Sequence, residues 1–273
     1  MDHPDGLAAT LRSLDAQTFP PSDYEVIVVD NGSGEDALRV VEQSCTSRSN
    51  VRLLIERAIR SSYAARNRGI DGASGVAIAF TDADCRPGPH WLKAGLGALE
   101  ASASEVVAGR IEMTFRRGRP NLWEYLDAAT WLDQRHYIEA HGFGATANLF
   151  VRRSVFEKVG PFRTDLVSGG DYEFGRRVER HGLRVGYASD AVVTHPARAE
   201  GRAVLAKAKR VARGVQRLER LGLLEHNHLS WRHFMPVRHY PAIPGQELTP
   251  VRRLAAAALA NVVKYWSLLW RLL

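Results

Sequence analysis

Acidic side chains follow two of the most apolar runs of the sequence. The run 25–29 ends at Asp30 in the turn Asp-Asn-Gly-Ser33, and the run 75–80 leads to Asp82 and Asp84. Residues two apart in an extended segment point to the same side, so Asp82 and Asp84 could face one ligand. Carboxylate oxygens suit Mg²⁺ or Mn²⁺, which typically bridge to the phosphates of a substrate. The alternative is structural, because Asp-Asn-Gly-Ser is a good turn sequence in any protein and an isolated Asp-x-Asp is common.

Three further polar residues have both a chemical and a structural interpretation. Asp171 follows Ser-Gly-Gly at the start of a predicted helix, where it could simply be an N-cap. Arg66 could lie at a solvated helix end that Gly69 closes, and His195 before Pro196 could be a loop histidine. Their types alone therefore do not decide between catalysis and structure.

Strands and helices that would position these residues alternate through residues 1–197. Continuous apolar runs predict strands buried on both faces at 25–30 and 75–80, and 51–56 is predicted to be extended. Helices are predicted over 36–45, 62–69 and 89–101. Further along, we predict strands at 106–115, 145–153 and 183–188 and helices at 122–138 and 171–181. This alternation indicates an α/β fold with a mixed, mostly parallel sheet flanked by helices, in which ligands bind at the carboxyl ends of the strands.

Charge divides the 273-residue chain into two parts. Residues 198–273 carry 14 Lys and Arg against 4 Asp and Glu, a net charge of +10, which leaves −3 for residues 1–197. Two cysteines cannot make a disulfide framework, and no basic segment followed by an apolar run opens the chain. We therefore expect a cytoplasmic protein with a basic C-terminal extension, and the ordinary globular composition excludes disorder over most of the length.

The basic extension contains two predicted helices. Apolar residues at helical spacing between Val204 and Leu218 are flanked by Lys and Arg, and an apolar helix spans 254–273. Lys264 near the middle of the last helix argues against a membrane-spanning segment and favours a helix that lies on an anionic membrane. Its polar residues fall on one stripe, Asn261, Lys264, Ser267 and Arg271. The alternative is that both helices pack on the rest of the protein.

In their order along the chain, these segments resemble the family-2 glycosyltransferases, whose nucleotide-sugar-binding fold is called GT-A. The resemblance covers about residues 5–196 and is far more specific than any single motif. It implies a domain over 1–197, with a nucleotide-binding half up to about 104 and an acceptor half from about 105, and a helical tail over 198–273. The matching segments are Glu25-Val-Ile-Val-Val-Asp-Asn-Gly-Ser33, Ala64-Ala-Arg-Asn-Arg-Gly-Ile70, Ala77-Ile-Ala-Phe-Thr-Asp-Ala-Asp84, Thr146-Ala-Asn-Leu-Phe-Val-Arg-Arg-Ser-Val-Phe156, Val159-Gly-Pro-Phe162, Gly169-Gly-Asp-Tyr-Glu-Phe174 with Arg177, and Ala191-Val-Val-Thr-His195.

By this resemblance, the chain transfers a sugar from a nucleotide-diphospho-sugar to an acceptor hydroxyl with inversion at the anomeric carbon. Asp171 matches the catalytic base, and Mn²⁺ or Mg²⁺ would be held by Asp84 and His195. Residues of the donor site would be Asp30, Ser33, Arg66 and Asp82. Asn148, Arg152 and Glu173 could lie on the acceptor side, although a structural role is equally compatible with their positions. The acceptor would be a glycan or a lipid-linked molecule.

One departure from the family pattern concerns its first strand, which usually ends in a Pro-x-Tyr-Asn-like turn. This chain begins with Met-Asp-His-Pro, where that turn should already be ending. We therefore expect the first strand of the family to be missing, either because the start codon was assigned too far downstream or because the chain lacks a central strand. The Gln-x-x-Arg-Trp signature of processive synthases is also absent, which favours a single transfer per acceptor.

Three other classes of protein compete with this interpretation. A catalytically inactive GT-A-like binding domain would explain a missing first strand, but not the joint presence of Asp82, Asp84, Asp171 and His195. A nucleotidyltransferase would more naturally carry a glycine-rich phosphate loop near its N-terminus. We expect no nucleic-acid binding, because no recognised module accompanies the basic charge.

Overall fold

The structure is a computed structural model that describes residues 4–130, 132–224, 230–238 and 240–273. Met1–His3, at the expected position of the departure from the family pattern, lie outside the described residues. The predicted alternation of helices and strands is present in the first part of the chain. Its elements are α1 (Pro4–Asp15), β1 (Val26–Asp30), α2 (Glu35–Ser47), β2 (Val51–Ile55), α3 (Ser62–Gly72), β3 (Ala77–Thr81), β4 (Arg86–Pro87) and α4 (Trp91–Ala101).

The second part of the chain continues the alternation and ends in two long helices. One prediction is corrected here, because the single helix expected over 122–138 is two helices. Leu132 between them has a φ of +66°, which an α-helix does not allow, and Asp133 then caps the second helix by accepting a hydrogen bond from the His136 N–H. The elements are β5 (Val106–Thr114), α5 (Leu122–Thr130), α6 (Gln134–His141), β6 (Asn148–Arg152), α7 (Arg153–Val159), α8 (Gly170–Arg180), β7 (Val185–Pro196), α9 (Gly201–Arg220) and α10 (Pro250–Leu272).

The strands form two sheets. β1 and β2 pair in parallel, whereas the other five strands lie in the order β3-β6-β5-β7-β4, with β6 antiparallel to both β3 and β5. The prediction of a mixed α/β fold is thereby confirmed. Among the described residues no strand joins β1 to β3. Each of these strands therefore has an unpaired edge, and most of their residues are half-buried instead of buried on both faces as predicted.

Contacts between residues divide the chain into two units. The first contains the chain up to Glu112 together with Asp133–Asp165 and Gly170–His195, and the second contains Met113–Leu132, Leu166–Gly169 and Pro196–Leu273. In the first unit, aromatic rings pack beside the end of β3: the ring of Phe162 lies 5.7 Å from Phe80 and 4.6 Å from Phe174. This cluster gives the loops that follow β3 a rigid base.

The second unit is helical and has its own core. Tyr125 and Leu126 of α5 are buried with Ala256 and Ala260 of α10. Asp127, which is fully buried, accepts hydrogen bonds from the Lys207 ammonium at 2.8 Å and from the Arg198 backbone N–H at 3.0 Å. The buried ion pair thereby links α5 to α9. None of the described helices, α10 included, is both long and apolar enough to cross a membrane.

Candidate active site

The pairing of β4 with β7 brings two predicted metal ligands together. Arg86 pairs with Thr194 in an antiparallel register, so the residues just before β4 lie beside the end of β7. Asp84 Oδ1 is 4.0 Å from His195 Nε2, and His195 is buried. One ligand atom from each of Asp82, Asp84, Cys85 and His195 lies within 4.8 Å of the others. This group could hold a metal ion.

A threonine of α1 fixes the loop that carries the two aspartates. Thr10 is buried, and its Oγ1 lies 3.0 Å from the Ala83 carbonyl oxygen and 2.6 Å from that of Cys85. Within the loop, the Cys85 N–H donates to the Asp82 carbonyl at 3.0 Å. No local sequence pattern indicates this role of Thr10, because its partners are more than 70 residues away along the chain.

The chemistry of the four side chains fits a hard divalent cation better than a soft one. Two carboxylates and one imidazole are ligands that Mn²⁺ accepts, and carboxylates also suit Mg²⁺. Burial raises the pKa of the Cys85 thiol, and the charges of Asp82 and Asp84 raise it further. A cysteine sulfur is a soft ligand, which suits Mn²⁺ and Mg²⁺ less well than carboxylate oxygens do. The carboxylates and His195 are therefore the members of the group that best fit such an ion.

Arg66 on α3 lies between Asp82 and Asp171. Its Nη2 donates to Asp82 Oδ1 at 3.0 Å, and its guanidinium carbon is 5.4 Å from the ring centroid of Tyr63. Burial alone would lower the pKa of Arg66, but the charges of Asp82 and Asp171 outweigh this effect and raise it. Arg66 is therefore a fixed positive charge between two acids.

Asp171 lies in the first turn of α8 and is held by Thr146. The Thr146 hydroxyl donates to Asp171 Oδ1 at 3.1 Å, and the preceding Gly170 N–H donates to the Tyr63 hydroxyl at 2.8 Å. A Cβ at Gly170 would lie 2.5 Å from the Tyr63 ring, so only glycine fits this contact. Burial raises the pKa of Asp171; Asp82 raises it as well, and Arg66 opposes the rise. A carboxylate with a raised pKa is a stronger base for an acceptor proton.

Asp30 occupies the carboxyl end of β1, as the sequence predicted. It is buried, its Oδ1 accepts the Ser33 N–H at 2.8 Å, and its Oδ2 pairs with Arg57. Burial would raise the pKa of Asp30, but the bonds to Ser33 and Arg57 lower it overall. Asp30 is therefore an ionised carboxylate at the base of an exposed turn. Arg57 was not singled out in the sequence.

Asn148, Arg152 and Glu173 have structural partners. Asn148 pairs with Thr81 at the end of β3, and its fully buried side chain accepts from Trp91 Nε1 at 2.8 Å and donates to two backbone carbonyls. Arg152 pairs with Ala77 at the start of β3, opposite to the end that carries Asp82, and it donates to the Leu99 carbonyl at 2.6 Å. These contacts favour the structural alternative, and a role on the acceptor side stays a prediction.

Glu173 also has a structural partner. Its side chain is buried, and its two carboxylate oxygens accept from Arg177 at 2.8 and 2.9 Å. The other nitrogens of Arg177 donate to backbone carbonyls of Val159 and Pro161. This ion pair, with the backbone contacts of Arg177, ties α8 to the segment 159–161.

Comparison with known proteins identifies the family. Residues 3–160 match the family described as glycosyl transferase family 2. The chain is 38% identical over 216 residues to the glycosyltransferase AglE of Haloferax volcanii, covering 78% of this chain and 70% of that protein. It is also 33% identical over 118 residues to the poly(ribitol-phosphate) beta-glucosyltransferase of Bacillus spizizenii, of which it spans 18%. The chain therefore belongs to glycosyl transferase family 2 and is a glycosyltransferase.

Solved structures agree on the fold. The mannosyltransferase PcManGT from Pyrobaculum calidifontis, in complex with GDP-Man and Mn²⁺, superposes with a TM-score of 0.62 at 16% identity over 99% of this chain and 70% of that one. TarS of S. aureus (residues 1–349) in complex with UDP-GlcNAc gives 0.56 at 20% identity, over 76% and 63% of the two chains. The fold is the GT-A fold, as the motifs implied.

Proposed function

We propose that this protein transfers a sugar from a nucleotide-diphospho-sugar to an acceptor hydroxyl, with a divalent metal ion and with inversion of the anomeric carbon. The observation that carries the proposal is the grouping around Arg66. Asp82, which groups with Asp84 and His195, accepts a hydrogen bond from this cation, and Asp171 of α8 interacts with it electrostatically. The residues near this cation therefore include both the groups proposed to bind a metal-bound diphosphate and the carboxylate proposed to accept a proton.

The donor side would use four residues. Asp30 and Ser33 at the end of β1 would bind the nucleotide, and Arg66 and Asp82 would lie beside it. Asp84 and His195 would hold Mn²⁺ or Mg²⁺, which supplies positive charge to the leaving nucleoside diphosphate. Support comes from solved structures of the same fold: PcManGT in complex with GDP-Man and Mn²⁺, and TarS in complex with UDP-GlcNAc.

Asp171 would act on the acceptor. As the acceptor oxygen attacks the anomeric carbon, its proton passes to the Asp171 carboxylate, and the bond to the nucleoside diphosphate breaks. Attack from the face opposite to the leaving group inverts the configuration. Thr146 would orient Asp171 so that the free lone pairs face the acceptor, and this proton transfer is worth about 10²- to 10⁴-fold in rate.

The acceptor class and the cellular location are further parts of this proposal. We propose that residues 1–197 form the catalytic domain and that the acceptor belongs to a cell-envelope glycan or is linked to a lipid. The relative from Bacillus spizizenii is a poly(ribitol-phosphate) beta-glucosyltransferase, which supports an envelope acceptor. We also propose that the protein acts in the cytoplasm and contacts an anionic membrane peripherally, which the net charge of +10 over 198–273 supports.

Calorimetric titration of UDP, GDP and dTDP, each with and without Mn²⁺, tests the donor site. We expect one nucleotide to bind much more tightly with the metal, and the matching nucleotide-sugar to be consumed when an acceptor is supplied. Metal-dependent binding without any turnover would instead favour the inactive binding domain. Absence of binding by the folded protein would contradict the donor site itself.

A further inference from the structure

The solvent-exposed face of α10 is apolar along its whole length. Val251 and Leu254 are 79% and 75% exposed, and five more apolar residues continue the same face with spacings of three or four. At 3.6 residues per turn, all seven lie within an arc of about 80°. We call this set the apolar stripe: Val251, Leu254, Ala258, Val262, Tyr265, Leu269 and Leu272.

Three polar residues of α10 are bound to other parts of the second unit, whereas Arg253 near the start of the helix is exposed. Over most of the helix, the side that faces solvent is therefore not the polar one. Asn261 exchanges hydrogen bonds with both backbone groups of Val237, and Lys264 Nζ donates to the Met235 carbonyl at 2.6 Å. Arg271 pairs with Glu219 of α9. These polar groups are already satisfied within the second unit, and the apolar residues are left to meet the surroundings.

The neighbouring helix α9 exposes a row of arginines. At 3.6 residues per turn they also fall within an arc of about 80°, so they form one line along the helix. The exposed residues of this helix are these arginines and Ala206. We call the row the arginine stripe: Arg202, Arg210, Arg213, Arg217 and Arg220.

The two stripes run side by side. Trp266 donates to the Leu205 carbonyl at 3.0 Å and the Trp270 ring lies under Lys209, so α9 and α10 run in the same direction. Arg213, a member of the arginine stripe, has its guanidinium 4.6 Å from the Trp270 ring centroid. The residues through which α9 and α10 contact each other fix the rotation of each helix about its axis. With these rotations, the apolar stripe and the arginine stripe lie on the same side of the helix pair.

Three exposed side chains extend the apolar stripe at its middle. The Tyr265 hydroxyl donates to the Phe234 carbonyl, and Lys264 holds the Met235 carbonyl, so the segment 230–238 lies against this part of α10. Trp231 is 69% exposed, Phe234 52% and Met235 45%. An apolar surface of this extent, bordered by cations, is unusual for a protein surface that faces only water.

We propose that the apolar stripe and the arginine stripe together bind the surface of an anionic lipid bilayer, with α10 lying in the membrane plane. This inference rests on the proposed membrane contact and specifies the residues that make it. Apolar side chains would enter the boundary between headgroups and acyl chains, and the arginines would bind lipid phosphates. A second copy of the chain fits this surface less well, because the two stripes contain no carboxylate that could pair with the arginines of the other copy.

Vesicle flotation of the full chain tests the proposal. The vesicles contain phosphatidylcholine alone, or phosphatidylcholine with one third phosphatidylglycerol. We expect binding to the anionic vesicles only, and weaker binding at high salt. Leu254→Gln with Leu269→Gln should reduce binding at least tenfold, because two exposed leucines no longer enter the lipid. Arg217→Gln with Arg220→Gln should also reduce binding to anionic vesicles at least tenfold.

Matched controls remove the same groups elsewhere. Val76→Gln with Ile59→Gln removes two exposed apolar side chains of the first unit, and Arg39→Gln with Arg68→Gln removes two exposed arginines. Both control pairs should bind vesicles like the parent chain. Metal-dependent nucleotide binding of every variant is measured separately, so loss of vesicle binding is distinguished from failure of the donor site.

Three results would overturn the proposal. The first is that the parent chain binds neither kind of vesicle, and the second is that both stripe variants bind as well as the parent. The third is that the parent chain is a dimer by light scattering and the leucine variant is a monomer with unchanged vesicle binding. That result would assign the apolar stripe to a second copy of the chain.

Discussion

Arg66 of α3 and Asp82, which follows the end of β3, form an ion pair of 3.0 Å. The same guanidinium interacts electrostatically with Asp171, whose carboxylate Thr146 holds at the start of α8. One cation therefore influences both an acid of the donor side and the proposed base. Changes at Arg66 should affect nucleotide binding and proton transfer together, whereas changes at Thr146 should affect proton transfer alone.

Replacing Arg66 by Gln should move the acid limb of the pH profile of kcat/KM to higher pH. The charge of Arg66 lowers the pKa of Asp171, so its loss allows burial and Asp82 to raise that pKa further. Thr146→Val should shift the limb in the same direction, since the hydrogen bond to Asp171 is lost, but nucleotide affinity should stay unchanged. Thr146→Ser keeps the hydroxyl and is the control. Identical pH profiles for all variants would contradict the coupling.

Replacing Asp171 by Asn should lower kcat by about 10²- to 10⁴-fold and leave metal-dependent nucleotide binding nearly unchanged. It should also stabilise the fold at neutral pH. Because the folded-state pKa of Asp171 is raised, its stabilising contribution is present below the ordinary pKa and is lost as the pH rises through the raised value. Urea unfolding at neutral and acidic pH measures this difference, which should shrink at acidic pH.

The exposed Asp190 provides a matched control for that substitution. Asp190→Asn removes one carboxylate from the same unit and should change neither kcat nor the pH dependence of unfolding. An Asp171→Asn protein with full activity would exclude this residue as the base.

Local sequence patterns predicted the elements well, and distant partners explain the rest. Apolar runs and turn residues located β1 and β3, because both signals lie within a few residues of the strand ends. The position of Arg152 required the direction of β6, which no local pattern reveals. Because β6 is antiparallel to β3, Arg152 lies beside the start of β3 and not beside the end that leads to Asp82.

The last helix shows the same limit for surfaces. Helical spacing correctly separated the polar residues of α10 from its apolar ones, but it could not reveal which stripe faces the protein. That depends on partners such as Val237 and Glu219, which are remote in the sequence. The hydrogen-bonding contacts of Thr10 with the loop that carries Asp82 likewise join residues that share no local pattern.

Single substitutions in the group around Asp84 should show which side chains contribute to Mn²⁺ binding. Asp84→Asn and His195→Gln should each weaken Mn²⁺ binding at least tenfold, measured by calorimetry with the nucleotide present. Cys85→Ala should bind Mn²⁺ like the parent chain, because this cation prefers carboxylate oxygens to a soft sulfur ligand. A loss of binding in Cys85→Ala equal to that in Asp84→Asn would contradict the assignment of the ligand atoms.

The buried pair Asp127–Lys207 should dominate the stability of the second unit. Lys207→Met removes one partner of a fully buried carboxylate, and we expect it to lower the free energy of unfolding by about 3–5 kcal/mol. The double variant Asp127→Leu with Lys207→Met removes both charges and should recover most of this loss. Guanidinium unfolding followed by circular dichroism measures both, and a single variant within about 0.5 kcal/mol of the parent would show that Arg198 alone satisfies Asp127.

The Asp127–Lys207 pair also predicts that the free energy of unfolding depends on pH, and that this dependence is weaker in Lys207→Met. Burial lowers the pKa of Lys207 to about 8 from 10.5, against the opposing charge of Asp127. Between these two values the unfolded chain binds more protons at this position than the folded chain, so the free energy of unfolding should rise with pH through that window. Lys207→Met has no group to titrate there, and its stability should rise less over the same range. Equal slopes for the two proteins would mean that Lys207 titrates normally despite its burial.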